Sequence, residues 1–172
     1  MAVTVHLFNI SDVVRYGIIQ KDKTVAFAGR NPFYLTLRSV GIASTTGGYA
    51  LLREWNGTYS SAGANELSTG NGYTKGGKAL QNVRVNYASG ELTMAADDVG
   101  WSATGSGIAA RSALLCYELP QARSNNGASL NDPYTASIAL ALIDFDALLT
   151  ASNGTAFTVQ WPSAGIFKFT MA

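Results

Sequence analysis

The chain has 172 residues, a length that suits one domain able to bury roughly 70% of its unfolded surface. Its formal net charge is +1 and its Lys and Arg are scattered singly, which excludes a nucleic-acid partner held by clustered cations. Charged residues are 13% of the chain and hydrophobic residues 47%, against about 25% charged in ordinary soluble domains; a deficit of Lys, Glu and Asp is what surface destined for a partner shows.

Met1 to Ile10 carries no basic segment leading into a long apolar run, and nothing approaches the about 20 apolar residues that span a bilayer. The expectation is synthesis in the cytoplasm with no signal peptide and no membrane partner. Val3, Val5 and Leu7 alternate with Thr4 and His6, the period of a half-buried strand, and Val3 and Val5 are candidate contact residues. From Ser11 the run Ser-Asp-Val-Val-Arg-Tyr-Gly-Ile-Ile reads as a short helix capped by Ser11, or as a second strand favoured by its β-branched residues. Residues 1–30 are thus an arm of one strand and one short helix. Thr24–Ala28 and Phe33–Arg38 read as strands separated by the turn Gly29-Arg30-Asn31-Pro32.

Residues 39–79 form a long loop region rich in Gly, Ser, Thr and Asn that still carries Tyr49, Leu51, Leu52, Trp55, Tyr59 and Tyr73. Aromatic residues on a connection of this length serve either a partner or local packing; Tyr49, Leu51, Trp55 and Tyr59 are the candidate interface. Val83, Val85 and Tyr87, the turn Ala88-Ser89-Gly90, then Leu92 and Met94 spell a hairpin. Ala109 to Leu119 is a continuous apolar run of the kind that forms a central strand covered on both faces. Ser137–Phe145 is a further strand. Phe157, Val159 and Trp161, the turn Pro162-Ser163-Ala164-Gly165, then Phe167, Phe169 and Met171 predict a C-terminal hairpin. About eight to ten short strands with turns between them give an all-β, single-domain fold over residues 1–172, a β-sandwich of jelly-roll-like form.

Reactive chemistry is sparse. His6 is the one histidine, so a His-dependent triad or a multi-histidine metal site has no material. Asp97 and Asp98 are adjacent, and in a strand would point to opposite faces. Asp144 and Asp146 would share a face if their strand continues, and with Glu54 or Glu66 offer a weak cation or acid–base set. The Gly47-Gly48, Gly70–Gly72 and Gly76-Gly77 clusters open no predicted helix, so a dinucleotide or phosphate loop fails on context. Lys75 and Lys78 solvate a Gly-rich turn. Cys116 is the single cysteine, a buried thiol among Leu114, Leu115 and Tyr117. Trp101 and Trp161 fit a core, leaving Trp55 as the exposed candidate for sugar stacking. No cofactor, no metal and no enzymatic activity are expected.

Several blocks carry a resemblance. Phe33-Tyr34-Leu35-Thr36-Leu37; Asn65-Glu66-Leu67-Ser68, then Gly-Asn-Gly-Tyr73-Thr74 and Gly76-Gly77-Lys78-Ala-Leu80; Ala96-Asp97-Asp98-Val99 and Trp101; Ala110-Arg111-Ser-Ala-Leu-Leu; Ile143-Asp144-Phe145; and Phe157-Thr158-Val159, Trp161-Pro162, Gly165-Ile166-Phe167 follow one another in an order that resembles a group of tailed, double-stranded DNA phage virion structural proteins. The match runs from about residue 31 to the C-terminus, while residues 1–30 and Gln121–Pro133 depart from it. The resemblance implies a virion component, foremost a capsid decoration or cement protein bound non-covalently to the major capsid protein as a homo-oligomer, with a trimer favoured. A tail or connector adaptor, or fibre-attachment protein, is the alternative, and a carbohydrate-binding receptor module stands further off. It also implies one corner built on Tyr73, Gly76 and Gly77, and a second on Asp97, Asp98 and Trp101, with Arg111 pairing one of the aspartates.

Overall fold

In the computed structural model, residues 4–7, 24–26, 33–39, 65–88, 91–118, 137–163 and 165–170 are described. All the secondary structure they contain is strand: β1 (Thr4–Leu7), β2 (Thr24–Ala26), β3 (Phe33–Arg38), β4 (Lys78–Ala79), β5 (Arg84–Ala88), β6 (Glu91–Ala95), β7 (Val99–Ser102), β8 (Ile108–Glu118), β9 (Ser137–Ala151), β10 (Ala156–Val159) and β11 (Phe167–Thr170). Every pairing is antiparallel. The strands make a five-stranded sheet in the order β1-β9-β8-β3-β4, a four-stranded sheet β11-β6-β5-β2, and the pair β10-β7. The chain is therefore all-β over these residues. The short helix from Ser11, and Val3, Tyr49, Leu51, Trp55, Tyr59 and the Gln121–Pro133 stretch, lie outside them.

Alternation sets which side chains meet. On β3, Phe33, Leu35 and Leu37 face the core; on β7 Val99 and Trp101 do so, and on β10 Phe157 and Val159. They join Val83, Val85, Met94, Ala113, Leu115, Ala141, Ile143, Phe145 and Ile166 in one cluster drawn from all three sheets. At roughly 25 cal/mol per Å² of apolar area removed from water, this cluster is the main stabilising term. The apolar run around β8 is explained by its place: it lies between β9 and β3, and Ser112 through Cys116 are buried on both faces.

Two expectations are corrected. The last two strands do not form a hairpin: β10 pairs with β7 (Phe157 opposite Trp101) and β11 with β6 (Phe167 opposite Met94). The turn between them hands the chain from one sheet to another. Gly165 N donates to Pro162 O, Gly165 takes φ +97, and Ile166 N donates to Met94 O at 2.7 Å; a side chain at Gly165 would collide with that same Met94 carbonyl. The second correction concerns β9, which runs on to Ala151 with its register broken. Ala110 faces Leu149 but Ser112 faces Asp144, so residues 145–148 of β9 bulge opposite Arg111. Within the bulge Asp146 adopts φ +57 and its N–H donates to Asp144 Oδ1 at 2.9 Å. Asp144 is buried and Asp146 exposed, so the two carboxylates do not share a face.

Candidate functional site

The blocks singled out in the sequence meet around Trp101. The stretch after Ser39 returns at Asn65, where Ser39 N donates to Asn65 O, and Arg38 and Glu66 form an isolated antiparallel bridge. From there residues 65–80 form a clip along the outer edge of β3. Leu67 N donates to Leu37 O, Leu80 N donates to Phe33 O, and β4 pairs with Tyr34 and Leu35. Between these two backbone attachments the phenol of Tyr73 completes the edge: Leu37 N donates to Tyr73 Oη at 3.1 Å, and Tyr73 Oη donates to Glu66 Oε1 at 2.6 Å. Gly76 N donates to the same carboxylate oxygen at 2.6 Å. Gly77, with φ +71, lies so close to the Leu35 carbonyl that any Cβ would overlap it, which is why the clip needs glycine there.

Burial, then the charge of Glu66 and its hydrogen bond, push the Tyr73 phenol far above its ordinary range, so the phenol stays a neutral donor. The Tyr73 ring stands 6.0 Å from that of Trp101, Trp101 lies 6.4 Å from Phe157, and Phe157 lies 6.1 Å from Phe145. Lys78 closes the outer end of this file, its Nζ 5.8 Å from the Trp101 ring and donating to Gly100 O.

The second corner holds Trp161 in place. Asp97 and Asp98 lie in the connection between β6 and β7, not in a strand. Trp161 N donates to Asp98 Oδ1 and Trp161 Nε1 donates to Asp97 O, both at 2.9 Å, while Asn82 Nδ2 donates to Asp97 Oδ2 at 2.6 Å. Trp161 is half-buried against the core rather than inside it. Both carboxylates are thus engaged away from Arg111, and no ion pair joins Arg111 to either. Arg111 instead sits opposite the β9 bulge.

A third feature gave no motif to read. Cross-strand register aligns Thr4, Asp144, Ser112, Arg38 and Glu66 in one row across the sheet. Arg38, Ser112, Asp144 and Glu66 are buried, on the face of the sheet opposite Leu35, Leu37 and Ile143. Cys116 shares that face. Burial lifts its thiol from 9.0 to about 12, Arg38 pulling it back down and Glu66 adding to the rise. In sequence these polar residues lie in separate stretches with no shared spacing or motif, so only register reveals the row.

The geometry is a set of hydrogen-bonded junctions, with side chains acting as backbone partners. Among the described residues, no cluster of three His, Cys, Asp or Glu is placed to hold a metal ion, and no helix is long and apolar enough to cross a membrane. No family model, curated protein or solved structure matches this chain.

Proposed function

We propose that this chain is a structural protein of a tailed-phage virion, a capsid decoration or cement protein that binds the major capsid protein non-covalently. The fold that suits it is a single β-sandwich of jelly-roll-like strand order, with the core cluster between the five-stranded sheet and the remaining strands. The observation that carries the reading is convergence. Sequence blocks far apart in the chain, whose order resembles that of virion proteins, meet at the Tyr73–Trp101–Phe157 file and at the Asp97–Asp98–Trp161 corner. Those contacts serve rigidity, which is what a shell component supplies. The low charged content of 13% supports a surface that ends against a partner.

The work of such a protein is energetic. Binding only to the assembled lattice adds free energy to that state, and by linkage opposes its disassembly; contacts to neighbouring capsomers multiply the effect through effective concentration. A homo-oligomer, with a trimer favoured, places identical surfaces around a local symmetry axis. The deciding experiment is the copy number of this chain per purified particle, by quantitative mass spectrometry against the major capsid protein. Hundreds of copies support decoration. A few to a few dozen move the protein to the tail or connector, and absence overturns the virion reading.

A further inference from the structure

We infer that Asn153-Gly154 is a self-modification site, at which the folded chain converts Asn153 to aspartate or isoaspartate with loss of ammonia, whereas Asn71-Gly72, the same dipeptide, is protected by the fold. In this reaction the glycine backbone nitrogen attacks the asparagine Cγ, the Cγ–Nδ2 bond breaks, and ammonia leaves with the proton that the glycine N–H gives up. Water then opens the cyclic imide at either carbonyl, so the amide is exchanged for a carboxyl group with no oxidant, reductant or cofactor. Glycine, having no Cβ, hinders the attack least. The dipeptide alone therefore ranks the two sites equally, and both asparagines are exposed.

Geometry separates them, because the ring closes only when the peptide swings its nitrogen round to the side of Cβ. At Asn71 that swing is opposed on every side. Its φ of +53 is left-handed, and the ψ of about +30 to +60° that goes with it points the Gly72 nitrogen away from Cβ. Gly70 N and Tyr73 N each donate to the other's carbonyl at 2.9 Å, the Asn71 carbonyl accepts from Thr104 N at 3.0 Å, and Asn71 Oδ1 accepts from Ser106 N at 3.2 Å. Gly72 packs directly against the Ser102 carbonyl. At Asn153 the constraints are fewer. Asn153 is not left-handed, the space beside Gly154 is open, and the Asn153 side chain makes no hydrogen bond among the described residues. Two backbone bonds hold the turn, Gly154 N to Ala103 O at 2.9 Å and Thr155 N to Ser152 O at 3.0 Å, and of these only the first engages the attacking nitrogen.

Conversion changes the molecule in two ways. The new carboxylate takes the formal net charge from +1 to neutral, the condition in which chains associate most readily. The isoaspartate form also adds a methylene to the main chain inside the turn that ties Gly154 and Thr155 to Ala103, and so loosens the link between the β9–β10 connection and the end of β7.

Residue-resolved peptide mapping of the full-length chain tests it. The folded protein and the chain unfolded in urea are held at the same mildly alkaline pH until the unfolded chain has converted both asparagines. Each is then digested with an acid protease, so that digestion adds no conversion of its own, and the exchange of amide for carboxyl is quantified at Asn71 and Asn153 by mass spectrometry. The ratio of the Asn153 rate to the Asn71 rate should be about tenfold higher in the folded protein than in urea, because the fold holds Asn71 with two more hydrogen bonds than Asn153. A folded ratio equal to that in urea, a faster Asn71 in the folded protein, or no conversion of Asn153 over the same period overturns the inference.

Discussion

The two faces of the five-stranded sheet are built on different principles from the same strands. One face, with Phe33, Leu35, Leu37, Ala113, Leu115, Ala141 and Ile143, is apolar and belongs to the core cluster. The other is equally buried at Thr36, Arg38, Ser112, Leu114, Cys116, Leu142 and Asp144, yet more than half of it is polar or ionisable. Apolar burial is strong but non-directional, and tolerates swaps that conserve volume. Buried polar groups contribute less net energy, but they demand specific partners. The first face thus stabilises the sheet, and the second fixes how its strands are aligned.

The sharpest break of this contrast comes from β3 and the clip along its edge. Leu35→Ala should cost about 2–5 kcal/mol in urea unfolding, because the site is fully enclosed and cannot collapse around a void. A loss under ~1 kcal/mol would mean that the first face does not dominate. Tyr73→Phe removes the hydroxyl that accepts from Leu37 N and donates to Glu66 Oε1; Gly76 N still donates to that carboxylate, so leaving the buried Leu37 N–H without its acceptor should cost about 1–3 kcal/mol, and faster amide exchange at Leu37 should report where the edge opens.

Alkaline pH gives an effect of intermediate size. The folded thiol of Cys116 sits at about 12 against 9.0, so the native state binds more protons than the unfolded chain between those values. Stability is then fully present below 9.0, and is lost as pH rises through 9.0 toward about 12. Tyr73 titrates in the same direction. Cys116→Ala should flatten the part of the unfolding-midpoint profile above pH 9.0, and an unchanged slope would remove the thiol from the account. The smallest effect belongs to Thr36→Val. Thr36 Oγ1 is buried without a protein hydrogen-bond partner, so losing the hydroxyl should shift stability by no more than about 0.5 kcal/mol, or raise it. A large destabilisation there would show that the second face depends on every polar atom it holds.

Legibility from sequence followed the same division. Strands that alternate strictly, β3, β5, β6 and β10, were readable because period-2 patterning is a local property of a half-buried strand. The central position of β8 was readable because only a doubly covered strand is apolar at consecutive positions. The pairing of the last two strands was not. Phe157 and Phe167 each announce a strand, but the Pro162–Gly165 turn suits a hairpin and a sheet-to-sheet crossover equally well. Asp97, Asp98 and Trp161 stood out singly, yet the hydrogen bonds that join them span more than sixty residues. Asp146 carried no signal of its left-handed conformation, since the bulge exists only against Arg111 on the neighbouring strand.

The sequence by itself determined that the described chain is strand, where most strands lie, and which side chains seek the core, because these follow from local period and turn chemistry. Tertiary structure alone decided which strands are neighbours, the register that assembles the Thr4–Asp144–Ser112–Arg38–Glu66 row, and the clip in which a tyrosine hydroxyl stands in for a backbone partner. The physical reason is that an antiparallel strand presents the same unpaired N–H and C=O groups to any partner. The choice is made by packing and buried hydrogen bonds between residues far apart in the chain.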